Sequence, residues 1–161
     1  CAGTRSSDLT SVVVELRNAT GQSVGSAQFT QFGAVGGLVV EARGLSPGLH
    51  AMHVHAVGRC DPPDFASAGG HFNPLNRQHG ALNALGAHAG DLPNLPVAPD
   101  GTGRLEGTTE QITLGPGPTS VWDADGSALV IHASADDFKT DPTGNSGARI
   151  ACGVFVRAPG K

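Results

Sequence analysis

The sequence contains few of the residues that recognise nucleic acids or cross membranes. It has no tyrosine and one tryptophan, and its 10 basic residues are outnumbered by 14 acidic ones, which gives a formal net charge of −4. Nucleic-acid sites need positive charge for the phosphates and, for single strands, aromatic rings that stack on the bases. Nucleic acid is therefore not an expected partner. No apolar run approaches the roughly 20 residues that a transmembrane helix requires.

Cysteines are also few, namely Cys1, Cys60 and Cys152, and none forms a CxC or CxxC pair. The wide separation of Cys60 and Cys152 favours a disulfide between them over a shared metal site. Such a bond implies an oxidising compartment. Cys1 precedes the small, polar stretch AGTRSSD and resembles the acylated first residue of a bacterial lipoprotein, a candidate for lipid anchoring to a membrane. The alternative is a free thiol in a truncated chain.

Glycine and proline are abundant, with 24 and 11 residues of 161, which predicts many turns and few long helices. Apolar segments that alternate or are β-branched recur between turn residues and predict an all-β fold of eight strands. The strands are expected at 10–18, 23–32, 38–44, 49–57, 91–98, 104–112, 127–133 and 148–157. No repeat or second composition regime is visible, so we expect one domain at 9–161 behind a flexible tether at 1–8.

Histidines are concentrated around the fourth predicted strand. His53 and His55 flank one residue, so both side chains project from the same face, about 6.7 Å apart, and could hold one metal ion. Two surface histidines are the alternative for this pair alone. His50 has the opposite parity and is expected to form structural hydrogen bonds. His132 ends a later strand and joins the pair only if the two strands lie near each other.

A connection without strand or helix patterns follows at about 58–90, and a structureless loop of this length needs something to order it. It carries His71, His79 and His88, with Asp91 just beyond. Three imidazoles and a carboxylate suit tetrahedral zinc, and zinc would order such a loop. Scattered loop histidines are the alternative for these residues taken alone.

Several segments in order resemble the copper/zinc superoxide dismutase family, and the stretch after Cys60 is closer to its secreted bacterial members. They are GLHAMHVHAVG (48–58), SAGGHFNP (67–74), HGAL (79–82), AHAGDLPN (87–94), VIHASADD (130–137) and TGNSGARIACGV (143–154). The resemblance covers the middle and C-terminal two thirds of the chain. It implies a flattened eight-stranded Greek-key β-barrel with two long functional loops, an immunoglobulin-like sandwich architecture of which this family is a standard example.

The resemblance also assigns the metal ligands. Copper is expected on His53, His55, His71 and His132, and zinc on His71, His79, His88 and Asp91. His71 is the shared ligand, with its ring deprotonated at both nitrogens while copper is oxidised. Asp136 matches a carboxylate that hydrogen-bonds one copper histidine, His53, and one zinc histidine, His79, and so fixes their tautomers.

Arg149 matches the family's anion-guiding arginine, whose guanidinium offers a fixed fork of donors to a small anion. Without the resemblance it is an ordinary solvated arginine at the start of a strand. Thr143 matches a residue that narrows the same channel. The loop at 133–148 is shorter than in animal cytosolic members and has Lys139 as its one basic residue before Arg149, which leaves the strength of steering open.

The function implied is dismutation of superoxide to oxygen and hydrogen peroxide, in antioxidant defence outside the cytoplasm. Copper, which imidazole suits, alternates between Cu(II) and Cu(I), while zinc, which has no redox chemistry, is the structural and electrostatic partner. His71 takes up and delivers a proton. We expect a periplasmic or cell-envelope enzyme, either monomer or homodimer.

Three rivals use related scaffolds or metals. A copper chaperone should show an exposed CxC or Met-rich site, but the chain has one methionine and no CxC. A copper-only relative does not need His79, His88 and Asp91, so the presence of these three residues argues against it. A zinc hydrolase needs an open zinc position and a general base, whereas three histidines and an aspartate close the site.

Overall fold

In the described part of the chain, nine antiparallel strands form one sheet that curls into a nearly closed barrel. They are β1 (Thr10–Arg17), β2 (Ser23–Phe32), β3 (Val35–Ala42), β4 (Gly48–His50), β5 (Met52–His55), β6 (Leu95–Val97), β7 (Gly103–Thr109), β8 (Ala128–His132) and β9 (Arg149–Val154). The computed structural model describes residues 10–157. The predicted tether at 1–8, including Cys1, lies outside the described residues. No helix within 10–157 is long and apolar enough to cross a membrane, and the predicted all-β fold is confirmed.

Alternation along the strands explains why these residues form a barrel. In β1, Val12, Val14 and Leu16 are buried in the core, whereas Val13 and Glu15 are exposed. A strand with this period-2 pattern covers a core with one face and meets solvent with the other. Around the barrel the strands follow the order β4-β6-β7-β3-β2-β1-β9-β8-β5. The connections that skip neighbours, such as β3 to β4 across β7 and β6, give the Greek-key arrangement.

The barrel closes at Ala51. β4 pairs with β6, and β5 pairs with β8, so consecutive strands stand at opposite ends of the strand order. The Ala51 N–H donates to the Ser134 carbonyl at 2.9 Å, and the Ala51 carbonyl accepts from the His132 N–H at 2.9 Å. The predicted fourth strand is therefore divided in two, because its halves pair with different neighbours.

The connection after β5 lies along the outer edge of that strand. Val54 N–H donates to the Gly90 carbonyl, and Val54 carbonyl accepts from Phe72 N–H, both at 2.8 Å. A Cβ at Gly90 would lie 2.3 Å from the Val54 oxygen, so this approach requires glycine. The sequence predicted no strand or helix over 58–90, and the structure has only a three-residue 3₁₀ helix there, Ala66–Ala68, together with isolated bridges. The bridges to β5 set His71 opposite His55, and Asp91 opposite His53.

The predicted disulfide joins Cys60 to Cys152 across 92 positions of sequence, with Cα atoms 5.7 Å apart. It ties the loop after β5 to β9. Phe65 packs beneath this loop against Cys152, Ala128 and Val130 in a small second core. The loop therefore has apolar and covalent attachments in addition to its hydrogen bonds with β5.

Candidate metal centre

Strands β5 and β8 and the long loop bring four histidines together on the outside of the barrel. Their donor nitrogens lie within 4.8 Å of one another: His53, His55, His71 and His132. His53 Nδ1 is 3.0 Å and His55 Nε2 3.4 Å from His132 Nε2. Because β5 pairs with β8, the condition for His132 to join the pair is met. We call these four residues the first donor set.

A second donor set lies beside the first and contains His71, His79, His88 and Asp91. His71 Nδ1 is 3.1 Å from His88 Nδ1 and 3.2 Å from Asp91 Oδ1. Asp91 Oδ1 is also 3.0 Å from His79 Nδ1 and 3.4 Å from His88 Nδ1. One carboxylate oxygen is thus in reach of all three rings, and the predicted group of three histidines and one aspartate does converge.

His71 belongs to both sets through different nitrogens. Its Nδ1 faces the second set, while its Nε2 is buried and, among the described residues, has no hydrogen-bond partner. His79 Nδ1 is likewise buried; Asp91 Oδ1 lies 3.0 Å from it, but within the described chain no contact of this nitrogen has the geometry of a hydrogen bond. Buried polar atoms are almost always satisfied, so each such nitrogen needs an explanation. Two buried imidazole nitrogens that have no hydrogen-bond partner and lie among other donors are arranged as metal ligands would be.

Other histidine rings of the first set are oriented by acceptors behind them. The His55 Nδ1–H donates to the Gly69 carbonyl at 2.8 Å, and the His132 Nδ1–H donates to the Gly147 carbonyl at 3.3 Å. A neutral imidazole has one N–H and one lone pair, so each bond leaves Nε2 free as an acceptor. The lone pairs then point toward the centre of the set, as metal binding requires.

Asp136 connects the two sets, as the resemblance implied. It accepts from His53 Nε2–H at 2.6 Å and from His79 Nε2–H at 2.8 Å, and all three side chains are fully buried. These bonds leave Nδ1 of each ring available for a metal. The position of Asp136 is fixed in turn by the Asn94 side chain. Asn94 Oδ1 accepts from the Asp136 backbone N–H at 2.8 Å, and Asn94 Nδ2 donates to the Asp136 carbonyl at 3.1 Å.

Two supporting residues were not predicted from the sequence. Asn94 is the last residue of AHAGDLPN (87–94), one of the segments that resemble the family, and this resemblance was the only sequence signal that could have indicated it. Gly144 has a φ of +67°, and a Cβ there would lie 2.0 Å from Asp136 Oδ1 and 2.6 Å from His79 Nε2. A side chain at this position would displace the carboxylate from the ring, so glycine is required by both the backbone conformation and the space.

Burial keeps the first donor set neutral. It lowers the pKa of His71 to about 4, of His132 to about 3 and of His55 to about 2. Burial also lowers the pKa of His53, against the opposing effect of its bond to Asp136. Metal ligation needs the unprotonated ring. At neutral pH each of these rings is therefore uncharged and keeps one nitrogen lone pair available as a ligand.

The second set is held by ionised carboxylates. Burial by itself raises the pKa of Asp91 and of Asp136, but hydrogen bonds from the surrounding histidines outweigh it and hold both pKa values well below the usual range. For His79 burial alone lowers the pKa, whereas the hydrogen bond to Asp136 and the neighbouring Asp91 carboxylate raise it to about 9.

Arg149 begins β9 directly opposite His132 in the β8–β9 register. Its Nη1 donates to the Phe65 carbonyl at 2.8 Å, and its charge contributes to the lowered pKa values of His55 and His132. Thr143 and Lys139 are exposed on the loop that precedes β9. His50 contacts the carbonyls of His132 and Ser46, both at 2.7 Å, and the structural role predicted for it is confirmed.

A family model described as copper/zinc superoxide dismutase (SODC) matches residues 23–155. The chain belongs to this family. Family membership implies copper and zinc as cofactors, and the first donor set together with the contacts among His71, His79, His88 and Asp91 fits them. Copper prefers imidazole nitrogen, and zinc accepts three histidines with one carboxylate.

Curated relatives in this family include two dismutases and a dismutase-like protein. The chain is 44% identical over 142 residues to superoxide dismutase [Cu-Zn] 1 of Aquifex aeolicus, covering 87% of this chain and 84% of the relative. It is 46% identical over 121 residues to superoxide dismutase [Cu-Zn] of Caulobacter vibrioides, covering 73% and 70%. It is 44% identical over 146 residues to superoxide dismutase-like protein YojM of Bacillus subtilis, covering 89% and 74%.

Solved structures agree on the fold. A crystal structure of a SOD-like protein from Bacillus subtilis has a TM-score of 0.85 at 41% identity, covering 89% of this chain and 97% of that chain. A double mutant of a SOD-like protein from the same organism, with two introduced histidines, has a TM-score of 0.83 at 43% identity, covering 90% and 97%. The predicted Greek-key barrel of the dismutase type is confirmed.

Proposed function

We propose that this protein is a superoxide dismutase that binds copper in the first donor set and zinc in the second. The observation that carries the proposal is the position of His71, a member of both sets: its Nδ1 faces His88 and Asp91 of the second set, while its buried Nε2 has no hydrogen-bond partner among the described residues. A buried histidine with a purely structural role would direct Nε2 to a protein acceptor as well. A ring directed at two metal ions needs both nitrogens.

The fourth zinc ligand is His88 rather than His53. Donor atoms of His53, His71, His79 and Asp91 also lie within 4.8 Å of one another, so His53 is a competing choice. Its Nε2 donates to Asp136 and its Nδ1 faces His132 in the first set. His88 Nδ1 faces His71 and Asp91 instead. The ring orientations therefore support three histidines and Asp91 for zinc.

Copper, when bound, supplies the one-electron chemistry that oxidises one superoxide and reduces another, whereas zinc has no redox role. The chain's own residues supply position, charge and a proton. His71 Nε2 is the buried nitrogen that can hold a proton beside the first set, where the second superoxide, on reduction to hydrogen peroxide, needs two protons: one from His71 and one from solvent. Asp136 holds the rings of both sets in fixed tautomers throughout.

Arg149 provides the positive charge for the anionic substrate, and Thr143 narrows the approach. The net charge of −4 does not oppose this, because charges beyond about 8 Å are largely screened at physiological ionic strength. Arg149 pairs with His132 in the β8–β9 register, and its Nη1 donates to the Phe65 carbonyl. Its charge acts on His55 and His132 of the first set, which supports a role in attracting an anion to that set.

Arg149→Ala should lower kcat/KM for superoxide about tenfold or more and leave both metals bound. Electrostatic steering raises association rates by roughly 10- to 10³-fold, and superoxide dismutases are a standard example of it. The kcat/KM of Arg149→Lys should lie between that of Arg149→Ala and that of the unmodified protein, since lysine keeps the positive charge but lacks the fixed fork of donors. The measurement is superoxide decay at known metal content over a range of salt concentrations. Loss of metal in parallel with activity would show that Arg149 holds the site instead.

The experiment that tests the function compares superoxide decay by protein loaded with copper plus zinc, with zinc alone and with neither metal. We expect catalysis only where copper is present. The metal-free and zinc-only forms control for any effect of the polypeptide or of a simple cation. Zinc-only protein as active as the copper form would overturn the proposal.

We further propose that the protein works in an oxidising compartment, the periplasm or the cell-envelope exterior, with Cys1 as a lipid anchor. The Cys60–Cys152 disulfide supports the compartment. The anchor depends on sequence alone. Mass spectrometry of protein from its native host should show added acyl mass at Cys1, and an unmodified terminus would contradict the anchor while leaving the enzyme assignment intact.

A further inference from the structure

Asp141 is a second carboxylate that contacts two histidines of the second donor set. Its Oδ1 accepts a hydrogen bond from the His79 backbone N–H at 2.8 Å. The same oxygen lies 3.8 Å from His88 Nε2. That distance is too long for a hydrogen bond but short enough for a charge to act on the ring. No function was assigned to Asp141 from the sequence.

The orientation of the His88 ring determines which of its nitrogens faces Asp141. Its Nδ1 faces the set, 3.1 Å from His71 Nδ1, so Nε2 on the opposite edge of the ring faces Asp141. A negative charge behind Nε2 favours the tautomer with the proton on Nε2 and leaves Nδ1 as the acceptor. Carboxylates placed behind metal-binding histidines act in this way and make the ligand more basic.

The loop that carries Asp141 is shaped by a different residue. Asp137 accepts hydrogen bonds from the backbone N–H groups of Lys139 and Thr140, both at 2.9 Å, and from the Thr140 hydroxyl at 2.5 Å. None of the described contacts of Asp137 involves a zinc-set histidine. Asp141 therefore need not hold the turn together, and its contacts are directed at His79 and His88.

We propose that Asp141 is a positioning residue for zinc, which fixes the backbone of His79 and orients the ring of His88. This inference depends on the proposed function only through the assignment of zinc to the second donor set. Asp136 and Asp141 then act as a pair, one buried beneath the metals and one at the surface. Because the Asp141 side chain is 47% exposed, salt screens its charge, and its effect belongs at the lower end of the 10- to 100-fold range for such residues.

The test is zinc affinity, measured by chelator competition on the full chain with copper content followed in parallel. Asp141→Ala, which loses both contacts, should weaken zinc binding about tenfold or more. Asp141→Asn keeps an acceptor for His79 but loses the charge, so it should weaken binding less. The loss of zinc affinity in Asp141→Asn, relative to the unmodified chain, should shrink as the salt concentration rises from about 0.01 M to about 1 M, because the screening length falls from about 30 Å to about 3 Å over this range.

Asp137→Asn is the matched control, since it makes the same chemical change four positions away without touching a histidine. The asparagine side-chain oxygen can still accept the bonds from the Lys139 and Thr140 N–H groups, so the loop that carries Asp141 keeps its shape. It should bind zinc as the unmodified chain does. The inference is overturned if Asp141→Ala keeps zinc within about twofold of the unmodified chain, or if Asp137→Asn loses as much affinity as Asp141→Asn. None of these readouts uses superoxide. A chain that needs Asp141 for zinc but does not dismutate superoxide would contradict the proposed activity and leave this inference standing.

Discussion

His132→Ala should remove almost all dismutation while zinc stays bound. His132 Nε2 lies 3.0 Å from His53 Nδ1 and 3.4 Å from His55 Nε2, so it is central to the first donor set. It is not one of the four zinc ligands that we propose. Without it copper has three of four nitrogens, and a fall in turnover of at least about 10³-fold, or about 4 kcal/mol in the barrier, is expected. The measurement is superoxide decay together with copper and zinc content.

His50→Gln is the matched control for His132→Ala. His50 is another buried histidine, and its ring contacts carbonyl oxygens rather than the metal-facing nitrogens. This variant should lose stability but keep its copper and its activity per bound copper. Equal loss of activity in both variants would mean that folding, and not copper ligation, explains the result. Full activity of His132→Ala would remove the first donor set from the mechanism.

Loss of the disulfide should give the largest change in stability. Cys60 and Cys152 are separated by 92 positions, and in the chain-entropy model closure of a loop of this size stabilises the folded state by about 4 to 5 kcal/mol. Because Cys152 is 2% exposed, alanine is the suitable replacement there, and serine is suitable at Cys60. For a domain of this size the double variant should unfold about 10 to 15 °C lower.

The stability measurement is thermal and denaturant unfolding of metal-free protein, so that metal binding does not mask the difference. The single variants Cys60→Ser and Cys152→Ala should resemble the double variant, because each removes the same bond. The reduced, unmodified chain should behave likewise. A double variant within about 1 kcal/mol of the oxidised protein would show that the Phe65 core and the hydrogen bonds with β5 hold the loop without the disulfide.

Residue patterns predicted the barrel and part of the metal centre. The spacing of His53 and His55 placed both rings on one face of a strand, and the structure confirms this. The location of His132 depended on which strands are neighbours, which period-2 alternation does not reveal. The resemblance supplied that information. It also supplied His71 as a shared residue, because nothing in the spacing of His71, His79 and His88 distinguishes a shared ligand from an ordinary one.

Features set by tertiary contacts could not be predicted. Ala51 divides the fourth strand, yet alanine is not a strand-breaking residue, and the division arises from the change of pairing partner. Gly90 was one of 24 glycines, and the need for glycine there follows from the Val54 oxygen, which would lie 2.3 Å from a Cβ at that position. Asp141 and Asn94 make their contacts with residues far away in sequence, so apart from the matched segment that ends at Asn94 no local pattern indicates either residue.

The account depends most on His71 as a ligand shared by two cations. The most direct measurement is a crystal structure of the oxidised protein loaded with copper and zinc, with each metal identified by its anomalous scattering. The account predicts copper at His71 Nε2 and zinc at His71 Nδ1, the latter at about 2.0 to 2.1 Å. An imidazole at residue 71 turned away from either ion in that oxidised state would contradict it.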